Sequence, residues 1–354
     1  MVKKLFVTDC EGPLTLNDNA YEISTKFIPE GNEFFRILSL FDDYFVDVLK
    51  KEDYKVGSTL KYIAPFFKAF GLNNEEFVKF SQENILFVNG APDTLNLAKK
   101  AMDSFIISTS YGQYIEAISN TIDFPIENTY FTTLDLDSYE ISDSEKEKLL
   151  KFKDIIMDIA KKESKTGVLD MDTLNEIFFE EIPKMNIFKL MDNINIVGGP
   201  GKQIALEDIL SKFNADYNGV IYVGDSHTDI EPLRSTKENG GIAISFNGNE
   251  VTIKEAEIAI ISDNTIATSL LIDLHSRFNK DYVLEFVKAY NINLKYAFEN
   301  YRINFDLIDE FNNVFKDNQL PIIEIINKEN IERISTLSLK MRKKIRGHEI
   351  GSLG

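Results

Sequence analysis

Four short polar clusters in this sequence carry side chains that could do chemistry together. Carboxylates can act as nucleophiles, as acids and bases, or as oxygen ligands for a hard cation such as Mg²⁺. A lysine ammonium and hydroxyl groups can hold an anion by charge and by hydrogen bonds. The clusters are Asp9 with Glu11, Ser108 with Thr109, Lys202, and Asp225 with Asp229.

Taken singly, each cluster also has a structural explanation. An aspartate or a serine after a strand is usually a turn residue or a helix cap, and a lone lysine at the start of a helix is usually solvated. All four clusters lie at or near the ends of predicted strands. This favours a functional role, because the functional groups of an open parallel sheet gather at the carboxyl ends of its strands. The strands that precede the clusters must therefore lie side by side.

Short apolar runs alternate with helical segments along much of the chain. This alternation predicts an α/β fold with a Rossmann-like parallel sheet and helices on both faces. The runs are KLFVT, SFIISTS, TYFTTLDLDSY, GVIYVGDSHTD, GGIAISFNG and AEIAIISDN.

Two stretches with helical periodicity interrupt this alternation of strands and helices, and a third follows it. Apolar residues three and four apart predict helices from Asn32 to about Asn89. The segment 16–89 that contains them is here called the cap, and its aromatic side chains are predicted to form its own core. A charged helical insertion is predicted at residues 142–193, and helices to the chain's end at residues 266–354. The α/β core then consists of residues 1–15, 90–141 and 194–265.

Composition excludes several classes of protein. The net charge of -18 over 354 residues argues against nucleic-acid binding, because phosphate backbones are held by basic surfaces. The single cysteine, Cys10, allows no intramolecular disulfide and no cysteine-based zinc site, which favours a cytoplasmic location. The start MVKKLFVTD has too short an apolar stretch for a signal peptide or a membrane span, so no direct membrane insertion is expected.

In this order, the four clusters resemble the motif set of the haloacid dehalogenase superfamily, most of whose members are phosphatases. Stretches such as VGDSHTDIEPLRS and NGAPDTLNLAKK are similar to the phosphoserine-phosphatase branch. The DCEGP start, the STSYGQY segment and the added helices resemble an archaeal group associated with the energy-converting hydrogenase clusters of methanogens. The matching motif residues are Asp9, Glu11, Gly12 and Thr15, then Ser108, then Lys202, then Gly224, Asp225 and Asp229.

The resemblance implies that Asp9 is a nucleophile and becomes an aspartyl-phosphate. An anionic nucleophile can attack a phosphomonoester dianion only if the local negative charge is neutralised. The resemblance assigns this task to Mg²⁺, held by Asp9, Asp225 and the backbone carbonyl of Glu11. It implies that Asp229 supports either the water shell of the metal or Lys202.

Further residues would contact the phosphoryl group by the same resemblance. Lys202 would supply positive charge, while the hydroxyls of Ser108 and Thr109 and the backbone N–H of Gly12 would donate hydrogen bonds. Glu11 would protonate the leaving group and later activate water. It departs from the family pattern, where aspartate is usual, by one methylene.

Pro13 is a second departure, since it has neither a hydroxyl nor an N–H where the family usually has threonine or serine. Two further residues are candidates for substrate contact. Arg36 could grip a carboxylate or a second phosphate of the substrate, and His227, within the fourth cluster, could touch the leaving group. Both also have a structural explanation, Arg36 as a solvated helix residue and His227 as a loop residue.

The sequence therefore predicts a magnesium-dependent phosphohydrolase that acts on a small phosphorylated metabolite through Asp9. Two alternatives stay open: a non-catalytic accessory or regulatory protein of an archaeal hydrogenase system, and a phosphotransferase that uses the same site. The added helices could also serve a homodimer or a protein partner. The basic segment LKMRKKIRGH could bind an acidic surface, or could simply offset the dipole of a helix C-terminus.

Overall fold

The computed structural model describes residues 2–45, 49 and 55–352. Residues 46–48 and 50–54, which belong to the helical pattern predicted for the cap, lie outside the described residues. Among the helices of the described residues, none has the length and the apolar composition needed to cross a bilayer.

A single sheet organises the described chain, and all of its strands run parallel except the last. It has seven strands within the described residues, in the order β3-β2-β1-β4-β5-β6-β7. The Rossmann-like α/β prediction is confirmed. The strands are β1 (Leu5–Thr8), β2 (Asp103–Tyr111), β3 (Thr129–Thr132), β4 (Val220–Gly224), β5 (Ile242–Phe246), β6 (Ile258–Ile261) and β7 (Ile322–Ile325).

Helices cover both faces of the sheet and form the region above its carboxyl edge. Their bounds follow in chain order. The helices are α1 (Asn19–Phe27), α2 (Gly31–Asp43), α3 (Thr59–Ala69), α4 (Asn74–Glu83), α5 (Ala91–Ala101), α6 (Gly112–Thr121), α7 (Asp143–Thr166), α8 (Met171–Asn175), α9 (Phe188–Asn193), α10 (Pro200–Phe213), α11 (Ile230–Glu238), α12 (Glu250–Glu255), α13 (Ile266–Arg277), α14 (Lys280–Ile292), α15 (Leu294–Asn300), α16 (Phe305–Val314) and α17 (Ile331–Arg346).

The side chains of each strand alternate between two hydrophobic clusters, as a sheet covered on both faces requires. On one face, Phe6 and Ile221 pack with residues of α5, α6 and α13–α16. On the other face, Val7 and Tyr222 pack with residues of α10 and α11. Near β6, a smaller cluster joins the sheet to α12 and α17 through residues such as Ile334.

The two predicted insertions share one hydrophobic cluster. Residues of α1–α4 and of α7–α9 belong to it together. The ring of Phe34 lies 4.8 Å from that of Phe66 within the cap, and the ring of Tyr62 lies 4.9 Å from that of Phe178 in the second insertion. The aromatic side chains thus pack as a core, although the exact domain boundaries stay a prediction.

The chain beyond residue 265 is not helical throughout. The segment Ile322–Ile325 forms β7, which pairs antiparallel with β6, with Ile258 opposite Ile325 and Ile261 opposite Ile322. A run of β-branched residues after a proline has a high strand propensity, and the open edge of β6 offers it unpaired backbone groups. The all-helical prediction for this region was wrong at this point.

The histidine His275 ties α13 to the start of the sheet and generates a prediction about acid stability. It is fully buried, its Nε2 lies 2.9 Å from the carbonyl oxygen of Gly219, and its Nδ1 lies 3.5 Å from Lys4 Nζ. Burial, with the nearby Lys4 charge, lowers the pKa of His275 to about 4. The folded protein therefore keeps this imidazole neutral at pH values where an unfolded chain would protonate it.

We expect His275 to make the protein lose stability as the pH falls from about 6.5 to about 4. In this window the unfolded state binds a proton that the folded state excludes, which costs about 2–3 kcal/mol by pH 4.5 and nothing above pH 7. Urea unfolding at pH 7 and pH 4.5 should show this extra loss in wild type but not in His275→Gln. The exposed His348→Gln is the control and should behave as wild type. Equal acid losses in wild type and His275→Gln would contradict the prediction.

Candidate active site

The first cluster lies where β1 ends at the middle of the sheet. Asp9 directly follows β1, and its backbone N–H donates to the carbonyl of Val223 at 2.8 Å, so Asp9 lies beside the end of β4. The Cys10 N–H donates to Asp9 Oδ1 at 2.6 Å. The Cys10 side chain itself is buried among apolar residues. The parallel register therefore places the Asp9 carboxyl at the carboxyl edge.

Gly12 allows the loop after β1 to approach Asp225 closely. Its φ is +100°, and a Cβ at this position would lie 2.1 Å from Asp225 Oδ2. Its N–H donates to the carbonyl of Thr15 at 2.8 Å. The tight turn uses that donor in this conformation, and the predicted phosphate contact of the Gly12 N–H stays a prediction. The residue also provides room for Asp225.

The first turn of α10 positions Lys202 next to Asp9. This helix begins at Pro200, whose fixed φ suits the first turn. The Lys202 side chain is fully buried, with Nζ 2.6 Å from Asp9 Oδ2 and 2.8 Å from Asp229 Oδ1. One ammonium therefore bridges the first and fourth clusters.

Asp229 is committed to holding this lysine and the loop after β4. Its Oδ1 also accepts a hydrogen bond from the Tyr222 hydroxyl at 2.9 Å. Its Oδ2 accepts from the backbone N–H groups of Asp225 at 3.1 Å and Ser226 at 3.2 Å. Of its two predicted roles, the structure shows the contact with Lys202 directly.

The ionisation of these groups reflects their burial. Burial raises the pKa of Asp9 to about 8, although Lys202 acts in the opposite direction. Burial lowers the pKa of Lys202, but Asp229 and Asp9 outweigh this effect and raise the pKa above its ordinary value. The lysine is thus a fixed positive charge, whereas Asp9 needs more positive charge nearby to be ionised at neutral pH.

The donor set fits a hard divalent cation. Asp9, Asp225 and Asp229 are buried and each offers a carboxylate oxygen, with these oxygens within 4.8 Å of one another. Asp225 Oδ1 is buried and has no hydrogen-bond partner among the described residues. Carboxylate oxygens are the ligands that Mg²⁺ prefers. Because Asp229 is already fully bonded, Asp9 and Asp225 are the carboxylates with the capacity to bind it.

Glu11 lies in the same cavity, beside the cap. Its Oε1 accepts a hydrogen bond at 2.7 Å from the backbone N–H of Asn19, the first residue of α1. Burial, followed by the nearby Asp18, raises the pKa of Glu11 well above its ordinary value. A raised pKa favours the protonated carboxyl group, which is the form that can act as a general acid.

The second cluster lies within β2, two residues beyond the pairing of Ile106 with Thr8 of β1. The Ser108 hydroxyl donates to the Ser110 hydroxyl at 3.2 Å. Thr109 Oγ1 is buried and has no hydrogen-bond partner among the described residues. A buried hydroxyl without a partner is costly, so this group is suited to donate to a bound anion.

A cavity of about 150 Å³ lies between the sheet edge and the cap, and its lining includes Asp9, Glu11, Ser108, Thr109 and Asp225. Cap side chains such as Phe35 and Leu60 line its other side. His227 lines it as well, with Nδ1 3.0 Å from Asn249 Nδ2, and its contact with a substrate stays a prediction. The cavity is small, consistent with a small ligand.

Arg36 does not lie in this cavity. Its Nε lies 3.0 Å from Glu33 Oε2, and its Nη2 lies 2.7 Å from Glu163 Oε2 on α7. Arg36 therefore pairs with carboxylates outside the cavity, and its contact with a substrate stays a prediction. The physical reason for this pairing is that the second insertion supplies a carboxylate, which the sequence pattern could not place against the cap.

Two arginines of the last helix enter the site instead, and the sequence analysis did not identify them. Arg342 Nη1 contacts Asp225 Oδ2, and Arg346 Nη1 lies 3.4 Å from the same oxygen. Both guanidinium groups line the cavity. Their spacing of four residues in LKMRKKIRGH puts them on one helix face. That basic face does meet an acidic surface, but the surface belongs to the protein's own site.

Solved structures of known proteins are similar to this chain. Phosphoserine phosphatase in its apo form is 14% identical over 75% of this chain and 96% of its own, with a TM-score of 0.47. The hydrolase t0658 of the haloacid dehalogenase family, from Salmonella enterica serovar Typhi, is 13% identical over 72% of this chain and 66% of its own, with a TM-score of 0.46. The parallel sheet, with Asp9 and Asp225 after its central strands, agrees with the α/β prediction. The resemblance to the haloacid dehalogenase superfamily stays a prediction.

One solved structure matches over the full length. The gene product AF1437 from Archaeoglobus fulgidus is 26% identical, covers 99% of both chains and has a TM-score of 0.76. The likeness therefore includes the insertions and the C-terminal helices. No protein-family profile and no curated sequence matches the chain. The resemblance to the hydrogenase-associated archaeal group stays a prediction.

We expect Lys202→Met to destabilise the protein by about 3–5 kcal/mol at pH 7, because it leaves the buried carboxylate of Asp229, and the Asp9 carboxyl group beside it, without their cation. The measurement is the free energy of unfolding in urea. Lys212→Met is the matched control on the same helix, since Lys212 pairs with Asp208 at 2.5 Å but its side chain is 60% exposed. The control should change stability little, and similar small effects of both substitutions would contradict the prediction.

Proposed function

We propose that this protein is a magnesium-dependent phosphohydrolase that cleaves a small phosphomonoester through an aspartyl-phosphate on Asp9. The observation that carries the proposal is the buried contact between Asp9 Oδ2 and Lys202 Nζ at 2.6 Å, beside Asp225. A nucleophilic carboxylate with a fixed positive charge at this distance is the arrangement that phosphoryl transfer requires.

The residues of the site divide the work as follows. Asp9 attacks phosphorus, and the phosphoryl group moves to its carboxylate while the substrate oxygen leaves. Lys202 balances the negative charge of the phosphoryl oxygens, and the Ser108 and Thr109 hydroxyls donate hydrogen bonds to them. Water then cleaves the aspartyl-phosphate and restores Asp9.

Asp9 and Asp225 would hold the cation, with the backbone carbonyl of Glu11 as the proposed third ligand. Bound there, Mg²⁺ supplies positive charge that lowers the pKa of Asp9 and reduces its repulsion from a phosphate dianion. The buried, unpartnered Asp225 Oδ1 supports this assignment.

Glu11 supplies the proton for the leaving group in this proposal. Its raised pKa favours the protonated carboxyl, and its place beside α1 puts it near the cap side of the cavity. After the leaving group has departed, the same carboxylate accepts a proton from the attacking water. A cytoplasmic location and a small phosphorylated metabolite as substrate belong to the same proposal.

The test is phosphate release from p-nitrophenyl phosphate by wild type and Asp9→Asn, with Mg²⁺ and with a chelator. We expect turnover that requires Mg²⁺ and that falls about 10³-fold or more in Asp9→Asn, because an amide is not a nucleophile for this reaction. The exposed Asp216→Asn is the matched control and should keep wild-type turnover.

Acid-quenched protein from ³²P-labelled substrate separates the alternatives. Wild type should carry a label that hydroxylamine removes, and Asp9→Asn should carry none. Absence of both turnover and label in a folded protein that binds Mg²⁺ would refute the proposal and favour an accessory role. Product that forms only when an acceptor alcohol is added would indicate a phosphotransferase.

A further inference from the structure

The last helix reaches the candidate site through a defined set of contacts. Ile334 of α17 packs in the cluster beside β6. One turn further, the buried Ser338 hydroxyl donates to the carbonyl of Gly248 at 2.6 Å, in the loop after β5. The helix is thereby held against the sheet, and its next turn places Arg342 beside Asp225.

Arg342 holds Asp225 at two points. Its Nη1 donates to the backbone carbonyl of Asp225 at 3.2 Å and to the carboxylate oxygen Oδ2. The Arg342 side chain is 4% exposed and the Asp225 side chain 2% exposed. Buried ion pairs with this geometry fix the orientation of both groups, because breaking one leaves an uncompensated buried charge.

Arg346 joins the same carboxylate to the start of the cap. Its Nε donates to the carbonyl of Leu16 at 3.1 Å and its Nη2 to the carbonyl of Asn17 at 2.5 Å. These two residues connect the loop after β1 to α1. The C-terminal helix therefore braces Asp225 and the base of the cap together.

We propose that Arg342 is a positioning residue that orients Asp225 for a divalent cation, an inference that rests on the cation site of the proposed function. Asp225 has two carboxylate oxygens, and Arg342 occupies Oδ2. Oδ1, buried and without a hydrogen-bond partner among the described residues, is the oxygen left for the cation. A carboxylate ligand whose other oxygen is held by a neighbour keeps its orientation, and removal of such a neighbour weakens metal binding.

The positive charge of Arg342 could also weaken Mg²⁺ binding, and the experiment must separate this effect from positioning. A guanidinium close to a cation repels it, and Arg342 could compete with Mg²⁺ for Asp225. The geometry favours positioning, because Arg342 contacts Oδ2 and the backbone carbonyl while Oδ1 remains without a partner. The two effects change the Mg²⁺ affinity of a neutral variant in opposite directions.

The test is the Mg²⁺ dissociation constant of the full chain, measured by titration calorimetry without substrate. We expect Arg342→Met to raise it about 10–100-fold. Arg333→Met is the matched control on the same helix, because Arg333 is half exposed and pairs with Glu324 away from the site. The control should bind Mg²⁺ as wild type does.

A kinetic readout distinguishes positioning from a general loss of structure. In Arg342→Met, the Mg²⁺ concentration for half-maximal phosphate release should rise with the dissociation constant, and turnover should recover at high Mg²⁺. A structural defect would instead lower the active fraction without shifting the Mg²⁺ dependence. If Arg342→Met does not fold, Arg342→Lys decides. A single ammonium lacks the planar fork of the guanidinium, so we expect Mg²⁺ binding several-fold weaker.

The inference would be overturned if a folded Arg342→Met bound Mg²⁺ as wild type does. If only Arg342→Lys folds, unchanged Mg²⁺ binding in that variant would overturn it. Tighter binding would also overturn it and show that Arg342 competes with the cation. Mg²⁺ binding that depends on Arg342 without any phosphate release would refute the proposed function alone. Phosphate release with Mg²⁺ binding independent of Arg342 would refute this inference alone, and a wild type that binds no Mg²⁺ would refute both.

Discussion

The ammonium of Lys202 lies buried between the carboxylates of Asp9 and Asp229, and the geometry of the site depends on this interaction. Removing charges from water costs several kcal/mol per ion, so buried ions persist only with well-placed partners. The partners here come from the end of β1, the start of α10 and the loop after β4. The register of the central strands and the first turn of α10 must therefore be correct together.

A second group of charged contacts lies beside this one, and its arginines come from α17. Asp225 faces Arg342 and Arg346, so the fourth motif is balanced by the last helix rather than by a neighbour in sequence. β7 pairs with β6, and Ile334 packs in the cluster beside β6. These contacts hold α17 against the sheet, so that its two arginines reach Asp225. The C-terminal region is thus part of the site as well as of the core.

The cap packs against the second insertion in one hydrophobic cluster, and this explains two features of the cavity. Because α7–α9 pack against α2 and α3, the aromatic side chains of the cap are used for its own core. The same packing puts Glu163 against Arg36, which lies outside the cavity. The cavity is lined by charged groups of the sheet edge and α17, and by Asp42 and Asp43 of the cap.

The sequence by itself determined the alternation of strands and helices and the carboxyl-edge positions of Asp9, Ser108, Lys202 and Asp225, because periodicity and turn chemistry are local properties. It also indicated a helical cap and an α/β core. Only the tertiary structure decided that both insertions share a core, that residues 322–325 complete the sheet, and that Arg342 and Arg346 reach Asp225. Asp225 and Arg342 are 117 residues apart, and such pairings depend on how the elements pack, which no local pattern records.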